Sequence, residues 1–279
     1  MEKKHTCVGL AIELVKQWRR LDKGFKGLGR ALSIYSCEEK VENGGEYVNK
    51  AEPELVDGAE KEHVMAGIHI EVDGRAGVLL ADPGYHVPRV LTVMEDGAYP
   101  HTGWFTQSDE PHSRKEYHYA FNSHHHGYVE WRERDTRGPL VVSQTSLIYV
   151  ARPYLTGVNV TERRNLVYNF KSLLSRDQKG HVTAGIYFPV GARGKDAQFT
   201  LFLDDGTSKQ KTKFKFSAFL RRDEVPEAIE DQIEQCNKQM NYKYGNLLDT
   251  ICRAARVMTD DSFIQQLLEI NDDIAAVSL

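Results

Sequence analysis

Asp73-Gly74 is the pair of residues that most narrows what this chain can fold into. It stands between two runs of strand-forming residues, Val64 to Val72 and Ala76 to Ala81, and Asp-Gly in that setting predicts a two-residue hairpin turn. Such a turn fixes the register. Val72 then faces Arg75, Met65 faces Asp82, and side chains alternate between the two faces outward from there. The hairpin opens a long strand-rich region. Further strands are expected at Arg89 to Met94, His101 to Thr106, Glu116 to Asn122, Tyr128 to Arg134 and Leu140 to Val150. Four more follow at Leu166 to Leu174, His181 to Pro189, Ala197 to Leu203 and Thr212 to Leu220, the last two separated by Asp204-Asp205-Gly206.

On either side of this region the period changes from two to about 3.6. Val8, Ala11, Ile12, Val15 and Trp18 recur at helical steps, so Cys7 to Leu21 reads as a helix with Thr6 as its N-cap. A glycine-rich loop, Lys23 to Gly29, leads to a strand over Arg30 to Ser36. Glu38 to Glu62 is polar, with a turn of helix expected near Glu54. Pro226 to Met240, Tyr244 to Met258 and Ser262 to Ile274 read as amphipathic helices, with Asp223 and Asp261 as caps. The expected fold class is α+β: an N-terminal helix, an antiparallel β-sheet or barrel, and a helical C-terminal region. The expected divisions are 1–62, 63–220 and 221–279.

Composition removes several function classes. A net charge of −4 lacks the basic face that nucleic-acid binding requires. No apolar run reaches the roughly 20 residues of a membrane span, and the polar first residues predict no signal peptide. The four cysteines, Cys7, Cys37, Cys236 and Cys252, show no Cys-x-x-Cys spacing and read as free thiols of a reducing compartment. A cytoplasmic protein is expected, with its oligomeric state open.

The chemistry lies in an order of elements: a helix that opens on cysteine, then a hairpin that starts with histidine and ends with aspartate. The positive end of a helix dipole and the free amides of its first turn favour thiolate, the reactive form of cysteine. An imidazole in reach takes the thiol proton, and a carboxylate fixes the imidazole tautomer. The expected catalytic residues are therefore Cys7 as nucleophile, His63 as base and Asp82 as orienter. His69 competes for the base role. The hairpin register favours His63, one diagonal from Asp82, whereas His69 lies about 13 Å farther along the strand than Met65. Cys37 competes as nucleophile, but Glu38 and Glu39 beside it disfavour the thiolate. Asp82-Pro83-Gly84 also reads simply as a turn.

The stretch from Thr6-Cys7-Val8-Gly9 to Gly29-Arg30-Ala31-Leu32-Ser33-Ile34-Tyr35-Ser36 resembles the catalytic helix and following strand of transglutaminase-like folds. His63 to Val72 with Val78-Leu79-Leu80-Ala81-Asp82-Pro83-Gly84-Tyr85 resembles the catalytic hairpin of arylamine N-acetyltransferases, whose aspartate opens an Asp-Val-Gly-Phe-Gly motif. Leu166 to Pro189 is weakly similar to the segment after that family's barrel. Two departures stand out: Lys3-Lys4-His5-Thr6 where the family has Arg-Gly-Gly and one further residue, and His86 in place of the motif's last glycine. The resemblance implies acetyl-coenzyme A as cosubstrate, a small-molecule amine as acceptor, and an acetyl group carried on Cys7. A transglutaminase-like amidase or peptidase with the same triad, and a catalytically degenerate binding protein, are the alternatives.

No metal site is expected. His124-His125-His126 reads as a hairpin tip, since adjacent strand residues point to opposite faces. His101, His112 and His118 lie in the strand region, Trp104 and Phe105 are core or cleft aromatics, and Lys209 to Phe216 alternates as a strand with one solvated face.

Overall fold

The computed structural model describes residues 6–50, 62–154, 158–178, 180–191 and 196–277, in two compact units, Met1–Leu166 and Val167–Leu279. The helix expected near Glu54 falls outside the described residues.

In the first unit, helix α1 (Cys7–Arg19) starts where Thr6 Oγ1 accepts the Gly9 N–H at 3.0 Å. That cap contributes about 1 kcal/mol. Burial of Val8 and Val15 contributes roughly 1.5–3 kcal/mol each, so packing dominates the placement of the helix. Its apolar face, Val8, Ala11 and Val15, meets Val64, Ala66 and Leu32. A short helix α2 (Leu28–Ala31) occupies the end of the expected loop, and strand β1 (Ser33–Glu38) begins after it. Helix α3 (Gly44–Lys50) was not expected because two glycines open it. Asn43 caps it, its Oδ1 accepting from the Glu46 N–H at 3.1 Å while the Glu46 carboxylate accepts from Asn43 Nδ2 at 3.4 Å.

Strands β2 (His63–Val72) and β3 (Arg75–Ala81) form the expected hairpin, paired from Val72 with Arg75 to Ala66 with Ala81. Asp73 and Gly74 have φ of 52° and 74°, the left-handed pair of a type I′ turn. The remaining strands are β4 (Leu91–Met94), β5 (Phe105–Glu110), β6 (Ser113–Phe121), β7 (Tyr128–Arg137) and β8 (Leu140–Tyr149). All eight join one antiparallel sheet in the order β4-β3-β2-β1-β8-β7-β6-β5. The sheet curls: β4 touches β6 across the fold although they are far apart in this order. Its concave face encloses Tyr35, Met65, Leu80, Leu91, Tyr119, Trp131 and Ile148. Helix α4 (Val158–Val167) follows, where the sequence places only the onset of a strand at Leu166.

The second unit is a four-stranded antiparallel meander: β9 (Phe170–Arg176), β10 (Val182–Pro189), β11 (Gln198–Asp204) and β12 (Lys209–Lys215). The run expected to continue as strand to Leu220 turns at Phe216 into a 3-10 helix, which buries Phe216 and Phe219. The solvated face of β12 is as expected, while its other face is half-buried only at Thr212 and Phe214. Helices α5 (Glu227–Gln239), α6 (Asn246–Met258) and α7 (Asp261–Val277) complete the unit. Pro226 stands at the N-cap position of α5; Asp223 lies in a separate 3-10 turn. Asp260, not Asp261, caps α7, accepting the Phe263 N–H at 3.1 Å. Phe199, Ile233, Leu247 and Ile251 lie at the centre of this core. The observed α+β order matches the expected one: N-terminal helices, a large curled antiparallel sheet, C-terminal helices.

Candidate active site

Cys7, His63 and Asp82 meet at the open end of the β2–β3 hairpin, and all three are buried. Each position follows from local structure. Cys7 is the first residue of α1, at the positive end of the helix dipole. His63 is the first residue of β2 and lies directly opposite Cys37 of β1. Asp82 follows the last residue of β3, at the position that the Asp73-Gly74 turn places across from Met65.

His63 Nε2 lies 3.1 Å from Asp82 Oδ1, an ion-pair contact that falls short of hydrogen-bond alignment. Nε2 is the nitrogen turned to the carboxylate, and Cys7 packs close by: a Cβ on Gly84 would meet His63, Cys7 and Asp82 together. Burial by itself lowers the His63 pKa. The Asp82 carboxylate and the Cys7 thiol together outweigh it and hold the imidazole well above its ordinary 6.5. The turn reading of Asp82 is also correct: Oδ1 accepts the Tyr85 N–H at 2.9 Å, and the Asp82 carbonyl accepts the Val87 N–H at 3.0 Å. One oxygen thus braces the turn and faces the imidazole. His86 takes a left-handed φ of 54° at the position where the family motif has glycine.

His69 is engaged elsewhere. Its Nε2 lies 2.8 Å from the Val150 carbonyl oxygen and its ring meets Tyr35 edge-on. Cys37 is fully buried, and burial followed by the Glu39, Asp82 and Glu38 carboxylates pushes its thiol well up. It therefore stays protonated beside the imidazole.

Sequence reasoning missed several neighbours. Gly84 packs against both His63 and Cys7. The Tyr85 ring stands edge-on to His63 at 4.9 Å and to Trp131 at 5.0 Å, and its hydroxyl donates to Glu39 Oε1 at 2.7 Å. Asn165 of α4 ties Cys7 to the chain beside His63: Oδ1 accepts the Cys7 N–H at 3.4 Å, and Nδ2 donates to the carbonyl of Glu62, just before His63, at 3.0 Å. Tyr85 belongs to the quoted Asp-Pro-Gly-Tyr stretch, a signal that could have found it. Asn165 is 158 residues from Cys7 and leaves no local signal.

The other histidines separate from this centre by role. Asn122 Oδ1 accepts the His124 and His125 amides at 2.9 Å, which makes the triple-histidine run the hairpin tip that was expected. His101 and His118 meet edge-on, and Trp104 stacks on His118 beneath the Arg134 guanidinium. His112 is exposed in the turn between β5 and β6, and Phe105 is core. No group of three or more His, Cys, Asp or Glu among the described residues is arranged to hold a metal ion. Among them, too, no helix is long and apolar enough to cross a membrane.

Buried Cys7 beside a buried His63–Asp82 pair is an arrangement of the Cys-His-Asp catalytic type. No protein-family model matches the chain, and no curated protein matches it. A solved structure, the arylamine-N-acetyltransferase from M. tuberculosis, is similar with a TM-score of 0.34 and 12% identity, over 79% of this chain and 68% of that one.

Proposed function

We propose that the protein is a cysteine-dependent acyltransferase that moves acetyl from acetyl-coenzyme A to an arylamine or related amine. The observation that carries the reading is the burial of Cys7, at a helix N-terminus, near a buried imidazole whose Nε2 faces Asp82. In the first half-reaction the Cys7 thiolate attacks the thioester carbonyl and a new carbon–sulfur bond forms. The bond to the coenzyme sulfur breaks, and the proton held by His63 passes to the departing thiolate. In the second, the amine nitrogen attacks acetyl-Cys7 and the Cys7 carbon–sulfur bond breaks. The amine proton passes to His63, which restores the thiolate–imidazolium pair. Asp82 keeps the ring oriented throughout.

Intact-mass measurement after incubation with acetyl-coenzyme A tests this. One acetyl group on the wild type and none on Cys7→Ser is the expected result. A Cys7 that alkylates rapidly at neutral pH yet takes no acetyl removes the acetyltransferase reading and leaves an amidase or peptidase. A Cys7 that labels as slowly as Cys236 removes both enzyme readings and leaves a binding protein.

A further inference from the structure

The contact between His63 and Asp82 does not by itself fix the imidazole: Nε2 lies 3.1 Å from Oδ1 without the alignment of a hydrogen bond. A ring held only in this way is free to tilt unless something packs against it. The Tyr85 ring does so, edge-on at 4.9 Å with the two planes 88° apart.

Tyr85 is in turn held from three parts of the chain. Its N–H donates to Asp82 Oδ1 at 2.9 Å, within the turn after β3. Its carbonyl accepts from Gln107 Nε2 at 3.3 Å. Gln107 is buried in β5 where the pairing with β6 slips between Thr106 and Ser108, and a bulge of this kind re-aims a side chain. The Tyr85 hydroxyl donates to Glu39 Oε1 at 2.7 Å. Glu39 directly follows β1, and the Tyr85 turn follows β3. Between those two strands in the sheet lies β2, which opens on His63. The hydroxyl–carboxylate bond therefore closes a strap across the strand of the base. The two backbone bonds fix where the side chain starts, and the hydroxyl bond fixes where the ring ends. A charged acceptor makes it the strong kind of hydrogen bond.

We infer that Tyr85 is a positioning residue for His63, with Glu39 as its anchor: their bond holds the ring edge against the imidazole and so keeps Nε2 on Asp82. Tyr85 acts through the imidazole and not on the substrate. The inference deepens the acyl-transfer reading and rests on the triad of that reading. An imidazolium kept in place stabilises the Cys7 thiolate, and one that swings away does so less. Loss of the anchor therefore raises the pH at which the thiolate forms.

Alkylation of Cys7 by iodoacetamide, followed as rate against pH, tests this. Tyr85→Phe keeps the ring and both backbone bonds and removes only the hydroxyl of a part-exposed side chain, so it is expected to fold as the wild type does. Its profile is expected to move up by about one pH unit, and labelling at a pH below both midpoints to slow about tenfold. Glu39→Ala is expected to give the same upward move. Removal of a neighbouring carboxylate would, through charge alone, move the profile down, which separates anchoring from electrostatics. The double variant should move no further than either single one. A Tyr85→Phe profile that overlays the wild type, a downward move in Glu39→Ala, or additive moves in the double variant overturns the inference. So does slower labelling with no move along the pH axis, which loosened packing alone would give. Alkylation needs no coenzyme, so the two readings fail separately. A shift without an acetyl adduct on wild-type Cys7 removes the acyl-transfer reading alone, and an adduct without a shift removes this inference alone.

Discussion

A Cβ on Gly84 would stand 2.6 Å from His63 Cε1. The same atom would lie 2.9 Å from Cys7 Cβ and 3.3 Å from Asp82 Oδ1, so the turn after β3 presses bare backbone against the whole triad. Gly84→Ala is therefore expected to move the imidazole or the thiol. Overpacking of this kind costs about 1–3 kcal/mol, readable as a lower urea midpoint. Cys7 alkylation should slow markedly as well. An alanine variant with wild-type stability and wild-type labelling would show that the contact is not tight.

Asp82→Asn keeps an oxygen that can accept the Tyr85 N–H but removes the charge facing His63. The turn should survive and the variant should fold. The acylation rate is expected to drop by about 100-fold or more, since an amide no longer stabilises the imidazolium or fixes its tautomer. Single-turnover acetylation of Cys7 measures this, with circular dichroism as the check on folding.

The raised His63 pKa gives stability a definite pH dependence. The folded state holds the His63 proton more tightly than the unfolded chain does. The resulting stabilisation is fully present below the ordinary value of 6.5 and is lost as pH rises through the folded-state value above it. The difference in melting temperature between wild type and His63→Ala should be largest below about pH 6.5 and shrink with rising pH. A difference that grows with pH would mean that burial, not Asp82, dominates the imidazole.

Asn165→Ala removes the link between the first amide of α1 and the chain just before His63. Loss of these partly buried hydrogen bonds should cost about 1–3 kcal/mol. Cys7 labelling should slow while that of Cys252 is unchanged. Equal effects on both cysteines would indicate general loosening instead.

The sequence by itself determined the local devices. Asp73-Gly74 specifies its turn because both residues accept positive φ, and a two-residue turn leaves only one register for Val72 and Arg75. Thr6 and the spacing of Val8, Ala11 and Val15 specify α1, since a cap and an apolar stripe are properties of one short segment. These suffice to place Cys7 at a helix start and His63 across the hairpin from Asp82. Where two local signals conflicted, the reading failed: Gly44-Gly45 masked the Asn43 cap, and the alternation from Lys209 to Phe216 carried the expected strand on through a 3-10 turn.

Tertiary structure alone decided what surrounds the triad. Trp131 reaches His63 because the sheet curls, and Asn165 reaches Cys7 from a helix 158 residues away. It also separated the two histidines, since the Val150 carbonyl that engages His69 comes from the end of a strand on the far side of β1. Such contacts are set by how distant segments pack. Burial there is collective and non-directional, so it leaves no periodic trace in any one segment.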